Sequence, residues 1–223
     1  MTLRNILLFD LDGTLIDSAP DLALAVNDTM QQLGRKTFAS DTVRGWVGNG
    51  AKTLIERGLS GDLQIDPNLD PALAEQALTL FLASYTKNVC VDTVLYDGVK
   101  TSLETLKEQG YRLAIVTNKP EGFVEPILQK LGLGNIFECI VGGDTLPQRK
   151  PDPAPLLYAC EKMQGSMDQV IMIGDSRNDV LAAKAANVPC VALSYGYNYG
   201  EDLAQYEPDW LLDHFGDLPN AIA

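Results

Sequence analysis

Residues 5–18 read NILLFDLDGTLIDS, and this stretch decides the fold. Its first half, residues 5–9, is apolar and predicts a short buried strand. Asp10 and Asp12 follow at once, and residues two apart in an extended chain point to the same side. We therefore expect both carboxylates to face one site while Leu11 turns toward the core. Gly13 then allows a sharp turn beside a ligand.

Two ionised carboxylates so close together repel each other. At a separation of about 4 Å and an effective dielectric near 20, the repulsion is roughly 4 kcal/mol, equivalent to about three pKa units. A hard divalent cation removes that cost, and oxygen ligands suit Mg²⁺. A solvated, aspartate-rich turn is the alternative that this stretch alone leaves open.

Further apolar runs follow the same pattern along the chain. They are bounded by Gly, Asp or Asn, and helical patterns that end near Gly110, Gly132 and Gly165 separate them. The runs are YRLAIVT (111–117), CIVGG (139–143), QVIMIG (169–174) and VPCVAL (188–193). Alternating strands and helices predict an α/β fold with a doubly wound parallel sheet.

One stretch does not alternate. Residues 17–93 contain helical patterns at 22–33, 43–59 and 71–85, without a clear strand. We expect residues 1–16 and 94–223 to form the α/β core domain and residues 17–93 to form a small helical cap domain. The connections are expected near 17–20 and 91–98.

The ends of the predicted strands carry polar residues. The second strand ends in VTNK (116–119), the third is followed by QRKPDP (148–153), and the fourth runs into GDSRND (174–179). Ligands of open parallel sheets bind at the carboxyl ends of the strands, so Thr117, Lys150 and Asp175 are expected to meet Asp10. Taken singly, Thr117 could cap a helix, Lys150 could be a solvated loop charge, and Asp175 with Ser176 could be an N-cap.

Composition excludes several classes of function. The chain has 223 residues with 17 Lys plus Arg and 30 Asp plus Glu, which gives a net charge of −13 and a pI near 4.4. A nucleic-acid partner or an anionic membrane surface normally requires a basic face, so neither is expected. The sequence also lacks a membrane-spanning run and a signal-peptide pattern, which favours a cytoplasmic location.

Other catalytic classes lack their residues. The single histidine, His214, excludes a multi-histidine zinc site, and the four cysteines form no CxxC pair. The stretch WVGNGAKT (46–53) fails both the P-loop and the dinucleotide fingerprints.

The ordered motifs DLDGT, TN, K-P and GDSRND resemble those of the haloacid dehalogenase superfamily of aspartate-nucleophile phosphotransferases. Longer stretches, among them FDLDGTLIDSAPDL and YGYNYG, make the whole chain similar to bacterial phosphoglycolate phosphatases, and residues 17–93 match the helical cap of that group. The resemblance implies a Mg²⁺-dependent phosphomonoesterase whose substrate is 2-phosphoglycolate.

The resemblance also implies a role for each acidic residue. Asp10 is the expected nucleophile, forming an aspartyl-phosphate, and Asp12 is the expected general acid and base. Mg²⁺ is expected to bind a carboxylate oxygen of Asp10, the backbone carbonyl of Asp12 and a carboxylate oxygen of Asp175. Asp179 is expected to support the metal site from behind these ligands.

The remaining candidates concern the substrate. Thr117 and Lys150 are expected to hold the transferring phosphoryl group, with Gly13, Thr14 and Asn118 also in contact with the substrate. In the predicted cap, Lys52 is the candidate for the substrate's distal carboxylate, although a surface lysine on an amphipathic helix is as good an interpretation. Lys119 and Arg177 are weaker candidates at the rim.

Three other functions stay open at this point. A different small-ester phosphatase and a hexose phosphomutase of the same superfamily would use the same paired aspartates. A phospho-aspartate receiver domain would also use clustered aspartates, Mg²⁺, a threonine and a lysine, but such domains resemble a shorter chain without the helical insertion. Whether the chain is a monomer or a homodimer is also open.

Overall fold

The computed structural model describes residues 4–223, so the first three residues of the predicted core segment 1–16 lie outside it. A six-stranded parallel sheet forms its centre, with the strand order β5–β4–β1–β6–β7–β8. The strands of this sheet are β1 (Ile6–Phe9), β4 (Arg112–Val116), β5 (Cys139–Val141), β6 (Val170–Gly174), β7 (Cys190–Leu193) and β8 (Trp210–Leu212). This is the predicted α/β architecture.

Strand β1 lies inside the sheet and is covered on both faces. It pairs in parallel with β4 through Ile6 and Arg112 and with β6 through Ile6 and Val170. Leu7 and Phe9 belong to the hydrophobic cluster on one face, whereas Ile6 and Leu8 belong to the cluster on the other. A strand buried on both faces has no polar alternation, which explains the continuous apolar run.

Helices connect the parallel strands and bury their apolar stripes against the sheet. Those that accompany the six-stranded sheet are α5 (Val99–Glu108), α6 (Glu121–Lys130), α7 (Ala154–Lys162), α8 (Arg177–Ala185) and α9 (Leu218–Ala221). The insertion after β1 contains α1 (Ala19–Gln32), α2 (Ser40–Arg44), α3 (Gly50–Ser60) and α4 (Pro71–Lys87).

A two-stranded antiparallel sheet lies at the base of the insertion. It pairs β2 (Ile16–Asp17) with β3 (Val94–Leu95), so the chain enters and leaves the insertion side by side. Asp21, in the first turn of α1, is buried and accepts backbone N–H groups of Val91, Asp92 and Thr93. The two connections are therefore fixed to each other.

The predicted helical segment 43–59 is wrong as one helix, because the structure divides it into α2 and α3. Gly45 ends α2, and Gly48 and Gly50 have φ values of 124° and 86°, which only glycine adopts readily. Strand β8 was not predicted from the sequence. It is a three-residue edge strand with an exposed Leu211, and its apolar residues lie between Asp209 and Asp213.

The helices of the insertion and one face of the sheet share a continuous hydrophobic cluster. Val26 and Met30 of α1 and Phe81 of α4 belong to the same cluster as Phe9 of β1. Among residues 4–223, no helix is long and apolar enough to cross a membrane.

Candidate active site

The candidate site lies at the carboxyl ends of β1, β4 and β6. Asp10 directly follows β1, Thr117 follows β4 and Asp175 follows β6, and all three are buried. Lys150, in the loop before α7, reaches the same place. The structure thus brings together the four residues that the strand-end argument selected.

Lys150 lies between two carboxylates. Its Nζ is 3.1 Å from Oδ1 of Asp10 and 2.6 Å from Oδ1 of Asp179, and its side chain is 1% exposed. Burial by itself would lower the pKa of Lys150, but the charges of Asp10 and Asp179 outweigh burial and raise the pKa. Lys150 is therefore a charged ammonium inside the site, and the solvated-loop alternative is wrong.

Asp10 is poorly neutralised despite its ion pair. Its Oδ1 is buried and has no partner of acceptable hydrogen-bond geometry, although Lys150 Nζ is within ion-pair distance. Burial raises the pKa of Asp10 from 3.8 to about 6, against the opposing charge of Lys150 and with a further contribution from Asp179. Burial and the neighbouring carboxylates likewise raise the pKa of Asp175.

These carboxylates form a group that fits a divalent cation. Ligand oxygens of Asp10, Asp175 and Asp179 lie within 4.8 Å of one another, and all three residues are buried. An unpartnered carboxylate oxygen, two raised pKa values and an all-oxygen donor set are what a hard cation would correct. The residues present therefore fit such a metal ion.

Asp175 is oriented by two short hydrogen bonds. The Thr14 hydroxyl donates to Oδ1 at 2.5 Å, and the backbone N–H of Tyr197 donates to Oδ2 at 2.5 Å. Gly13 packs so closely that a Cβ there would lie 2.2 Å from Asp175 Oδ2. In the structure Gly13 and Thr14 thus contact Asp175, and neither lines the cavity described below.

Asp179 holds the start of α8. Its Oδ2 accepts hydrogen bonds from the backbone N–H and the hydroxyl of Ser176, and its Oδ1 accepts one from Lys150 Nζ. Together with the Ser176 side chain this is a capping box, so the N-cap is Ser176 and Asp175 remains free to face the site. Asp179 therefore connects the helix to the lysine.

Asp12 has different partners from Asp10. It accepts the Ser18 hydroxyl at 2.5 Å and Lys119 Nζ at 3.0 Å. The Lys119 side chain is 2% exposed and also donates to the Tyr85 hydroxyl of α4 at 2.8 Å. Burial opposes the charge of Lys119, but Asp12 and Tyr85 outweigh burial and raise its pKa. Lys119 thus lies inside the site, whereas the sequence placed it at the rim.

A cavity of about 30 Å³ lies between the sheet edge and the helical insertion. Its polar wall contains both Asp10 and Asp12, and helices of the insertion supply most of its apolar wall. The polar side of the lining includes Asp10, Asp12, Thr117, Asn118 and Lys119, and the apolar side includes Leu22, Val47, Leu54, Phe81 and Phe123.

The Asn118 side chain joins the insertion to the core. Its amide donates to the carbonyl oxygens of Gly48 and Lys150, both at 3.0 Å. The residue lines the cavity, but this amide is already engaged by backbone carbonyls. Asn118 thereby fixes the 45–49 loop over the sheet edge.

Lys52 does not reach the cavity. Its side chain is 65% exposed, lies 3.8 Å from Glu56 and borders an outer groove near Pro67 and Glu75. Ala51 and Leu54 of the same helix line the cavity, and the helical rotation between neighbouring positions turns Lys52 away from it. The structure therefore agrees with the surface-lysine interpretation. Arg177 is also outside the cavity and pairs with Glu201 at 2.6 Å.

Two tyrosines at the site were not singled out in the sequence. Tyr85 contacts Lys119, and the Tyr197 hydroxyl accepts the backbone N–H of Ser18 and donates to Asp17 at 2.7 Å. Burial favours protonation of Asp17, but hydrogen bonds from Arg44 and Tyr197 outweigh it and lower the pKa of Asp17. For Tyr197 the available signal was the YGYNYG stretch (195–200), which carries three tyrosines among glycines.

Comparison with known proteins agrees with this geometry. A family model described as haloacid dehalogenase-like hydrolase matches residues 7–193, which is most of the chain. The chain belongs to this family of hydrolases.

Curated relatives within the family share one name. The chain is 58% identical over 215 residues to a phosphoglycolate phosphatase of Colwellia psychrerythraea, with 96% of this chain and 95% of the relative covered. It is 49% identical over 212 residues to a phosphoglycolate phosphatase of Pseudomonas putida, with 95% and 77% covered.

Solved structures show the same fold over the whole chain. A predicted phosphoglycolate phosphatase from Haemophilus somnus matches with a TM-score of 0.91 and 39% identity, covering 100% of both chains. The CbbY protein of Rhodobacter sphaeroides in complex with phosphate matches with a TM-score of 0.77 and 28% identity, covering 97% of this chain and 96% of that one.

Proposed function

We propose that the chain is a Mg²⁺-dependent phosphomonoesterase that hydrolyses 2-phosphoglycolate to glycolate and phosphate through an aspartyl-phosphate. One observation carries the proposal: Asp10 and Asp12 line the same cavity but have different partners. Asp10 Oδ1 faces Lys150 in an ion pair and has no hydrogen bond of acceptable geometry, whereas Asp12 accepts hydrogen bonds from Ser18 and Lys119. The different environments of the two carboxylates suit two different roles, with Asp10 as the nucleophile and Asp12 as the proton donor and acceptor.

In the first step, a carboxylate oxygen of Asp10 attacks phosphorus. The bond from phosphorus to the ester oxygen breaks, and Asp12 gives its proton to that oxygen so that glycolate leaves as an alcohol. Asp10 then carries the phosphoryl group as a mixed anhydride. Lys150 lies beside Asp10, where its positive charge offsets negative charge on the transferring oxygens.

In the second step, Asp12 takes a proton from water. The resulting hydroxide attacks phosphorus, the bond to Asp10 breaks, and phosphate leaves with Asp10 restored. Thr117 lies at the end of β4 and lines the cavity. In this proposal its hydroxyl donates to a phosphoryl oxygen in both steps. Two steps divide a displacement that is extremely slow without catalysis.

The metal ion would be Mg²⁺, held by carboxylate oxygens of Asp10 and Asp175 and by the backbone carbonyl of Asp12. When bound, Mg²⁺ would neutralise the clustered carboxylates and supply positive charge to the phosphoryl group. Asp179 would act indirectly, since it orients Lys150 and the start of α8.

Two observations support a small substrate. The insertion covers the cavity, and the two curated relatives above carry the name phosphoglycolate phosphatase. We propose that residues 17–93 act as a cap domain over the core formed by 1–16 and 94–223. A cytoplasmic location and a monomeric or dimeric state also remain proposals.

The substrate proposal predicts a clear order of kcat/KM. With Mg²⁺ present, 2-phosphoglycolate is expected to exceed hexose phosphates and a generic aryl phosphate by at least about 100-fold in kcat/KM, because a covered site discriminates against larger esters. The order of kcat/KM values is measured as phosphate release from each ester of this panel. A chelator control is expected to stop turnover. A panel in which a hexose phosphate leads would instead indicate a different small-ester phosphatase, whereas conversion of a hexose phosphate to its isomer with little phosphate release would indicate the phosphomutase alternative.

Metal binding can be tested without turnover. Mg²⁺ at about 100 times its Kd should stabilise the folded protein by roughly 2.7 kcal/mol, because it binds the folded state alone. For a chain of this size the thermal midpoint should rise by about 5–10 °C. Asp175→Asn should lose most of the rise, whereas Glu104→Gln, an exposed acid on α5, should keep it. An equal rise in all three proteins would contradict the assigned site.

A further inference from the structure

Lys119 is a buried cation on the wall of the cavity. Its side chain is 2% exposed, and its Nζ contacts Asp12 and the Tyr85 hydroxyl. The mechanism above assigns it no contact with the substrate. In a protein of net charge −13, a buried ammonium at the cavity is a candidate binding group for an anion.

The hydrogen-bonding capacity of Lys119 is not exhausted. An ammonium has three donors and no acceptor. Asp12 accepts through Oδ1 at 3.0 Å and Oδ2 at 3.2 Å, and the Tyr85 hydroxyl accepts at 2.8 Å. The two oxygens of one carboxylate lie in nearly the same direction from Nζ, so we count them as sharing one donor. One donor remains for a ligand in the cavity that Lys119 lines.

We propose that Lys119 binds the substrate's carboxylate and selects phosphate esters that carry a carboxylate one carbon away from the ester oxygen. This rests on the proposed function, in which Asp12 protonates the ester oxygen. Lys119 Nζ is 3.0 Å from Asp12 Oδ1. In such an ester the ester oxygen and the nearer carboxylate oxygen are roughly 3 Å apart from standard bond lengths, so one molecule reaches both groups.

The rest of the cavity offers no better place for a carboxylate. The wall opposite the aspartates is apolar, and burying a carboxylate against it without a donor would cost several kcal/mol. The side-chain amide of Asn118 already donates to two backbone carbonyls, and Lys52 faces the outer groove. The acidic residues of the site repel an anion. Lys119 is the cation beside the proposed proton donor.

The experiment compares two esters that differ in one group only, 2-phosphoglycolate and ethyl phosphate, which has a methyl group in place of the carboxylate. The measured quantity is the ratio of their kcat/KM values in Mg²⁺. For Lys119→Met we expect the ratio to fall about 100-fold, because a charge-assisted hydrogen bond to one substrate is lost. The ratio does not depend on the fraction of folded enzyme.

Two comparisons complete the test. Lys100→Met, the same change at an exposed lysine of α5, should leave both kcat/KM values unchanged. An ester with one more methylene before the carboxylate should be a poorer substrate of the unmodified enzyme by at least about tenfold, since its carboxylate no longer fits the spacing.

Two results would overturn the proposal. If kcat/KM fell equally for both esters in Lys119→Met, Lys119 would only orient Asp12. If the ratio of kcat/KM values fell in Lys52→Met and not in Lys119→Met, the carboxylate would bind in the outer groove. Failure of the proposed function would look different. The unmodified enzyme would then show no preference for 2-phosphoglycolate over ethyl phosphate, before any variant is made.

Discussion

Replacing Asp10 by Asn is expected to reduce the rate of phosphate release by at least about 10⁴-fold, which is a typical loss when a covalent nucleophile is removed. The amide oxygen of Asn is a poor nucleophile, and no other carboxylate is placed to take over. Asp12 is held by Ser18 and Lys119, and Asp179 is held by Ser176 and Lys150. The measurement is kcat for 2-phosphoglycolate in saturating Mg²⁺.

The same variant should not lose stability. Burial raises the pKa of Asp10 from 3.8 to about 6, so above pH 6 the ionised carboxylate costs the folded protein up to about 3 kcal/mol. A neutral Asn removes that cost and keeps the shape. In chelator at pH 7.5, Asp10→Asn should unfold at the temperature of the unmodified protein or above it. The control is Glu104→Gln, and near-normal turnover in Asp10→Asn would refute the nucleophile assignment.

The sheet could be predicted because its signal is local. A strand covered on both faces must be apolar throughout, so each inner strand appears as a run of Ile, Val and Leu. The rule that ligands meet the carboxyl ends of parallel strands then brings Asp10, Thr117 and Asp175 together without any three-dimensional information. Strand β8 was missed because its three apolar residues, Trp210–Leu212, lie between Asp209 and Asp213 and form too short a run to stand out.

The environment of Lys119 could not be predicted in this way. It depends on Tyr85 and Asp12, which lie 34 and 107 positions away in the chain. In the sequence, Lys52, which follows Gly48 and Gly50, is the stronger candidate for the substrate's carboxylate, and Lys119 is the weaker one. Burial by distant elements decides which lysine faces the cavity, and spacing within one helix does not contain that information. Within α3, Ala51 and Leu54 face the cavity, so the Lys52 side chain faces outward.

Replacing Lys150 by Met is expected to damage both activity and stability. The ammonium, with its side chain 1% exposed, lies between Asp10 and Asp179, so its removal leaves buried carboxylates without their cation. Breaking a buried pair in this way typically costs about 3–5 kcal/mol. At about 2–4 °C per kcal/mol, the thermal midpoint should fall by roughly 6–20 °C. Loss of its charge beside the phosphoryl group should lower kcat by roughly 10³-fold.

A double variant separates the two effects. Asp179→Asn removes one buried charge and keeps the shape that caps α8, so Lys150→Met with Asp179→Asn should recover at least about 1 kcal/mol of the lost stability, a coupling typical of residues in direct contact. It should recover none of the lost kcat, because the positive charge beside Asp10 is still missing. Unfolding in denaturant and steady-state kinetics measure these, with Lys100→Met as the matched exposed control. Equal stability of Lys150→Met and the unmodified protein would show that the buried carboxylates are neutral, and it would remove the electrostatic basis of the proposed mechanism.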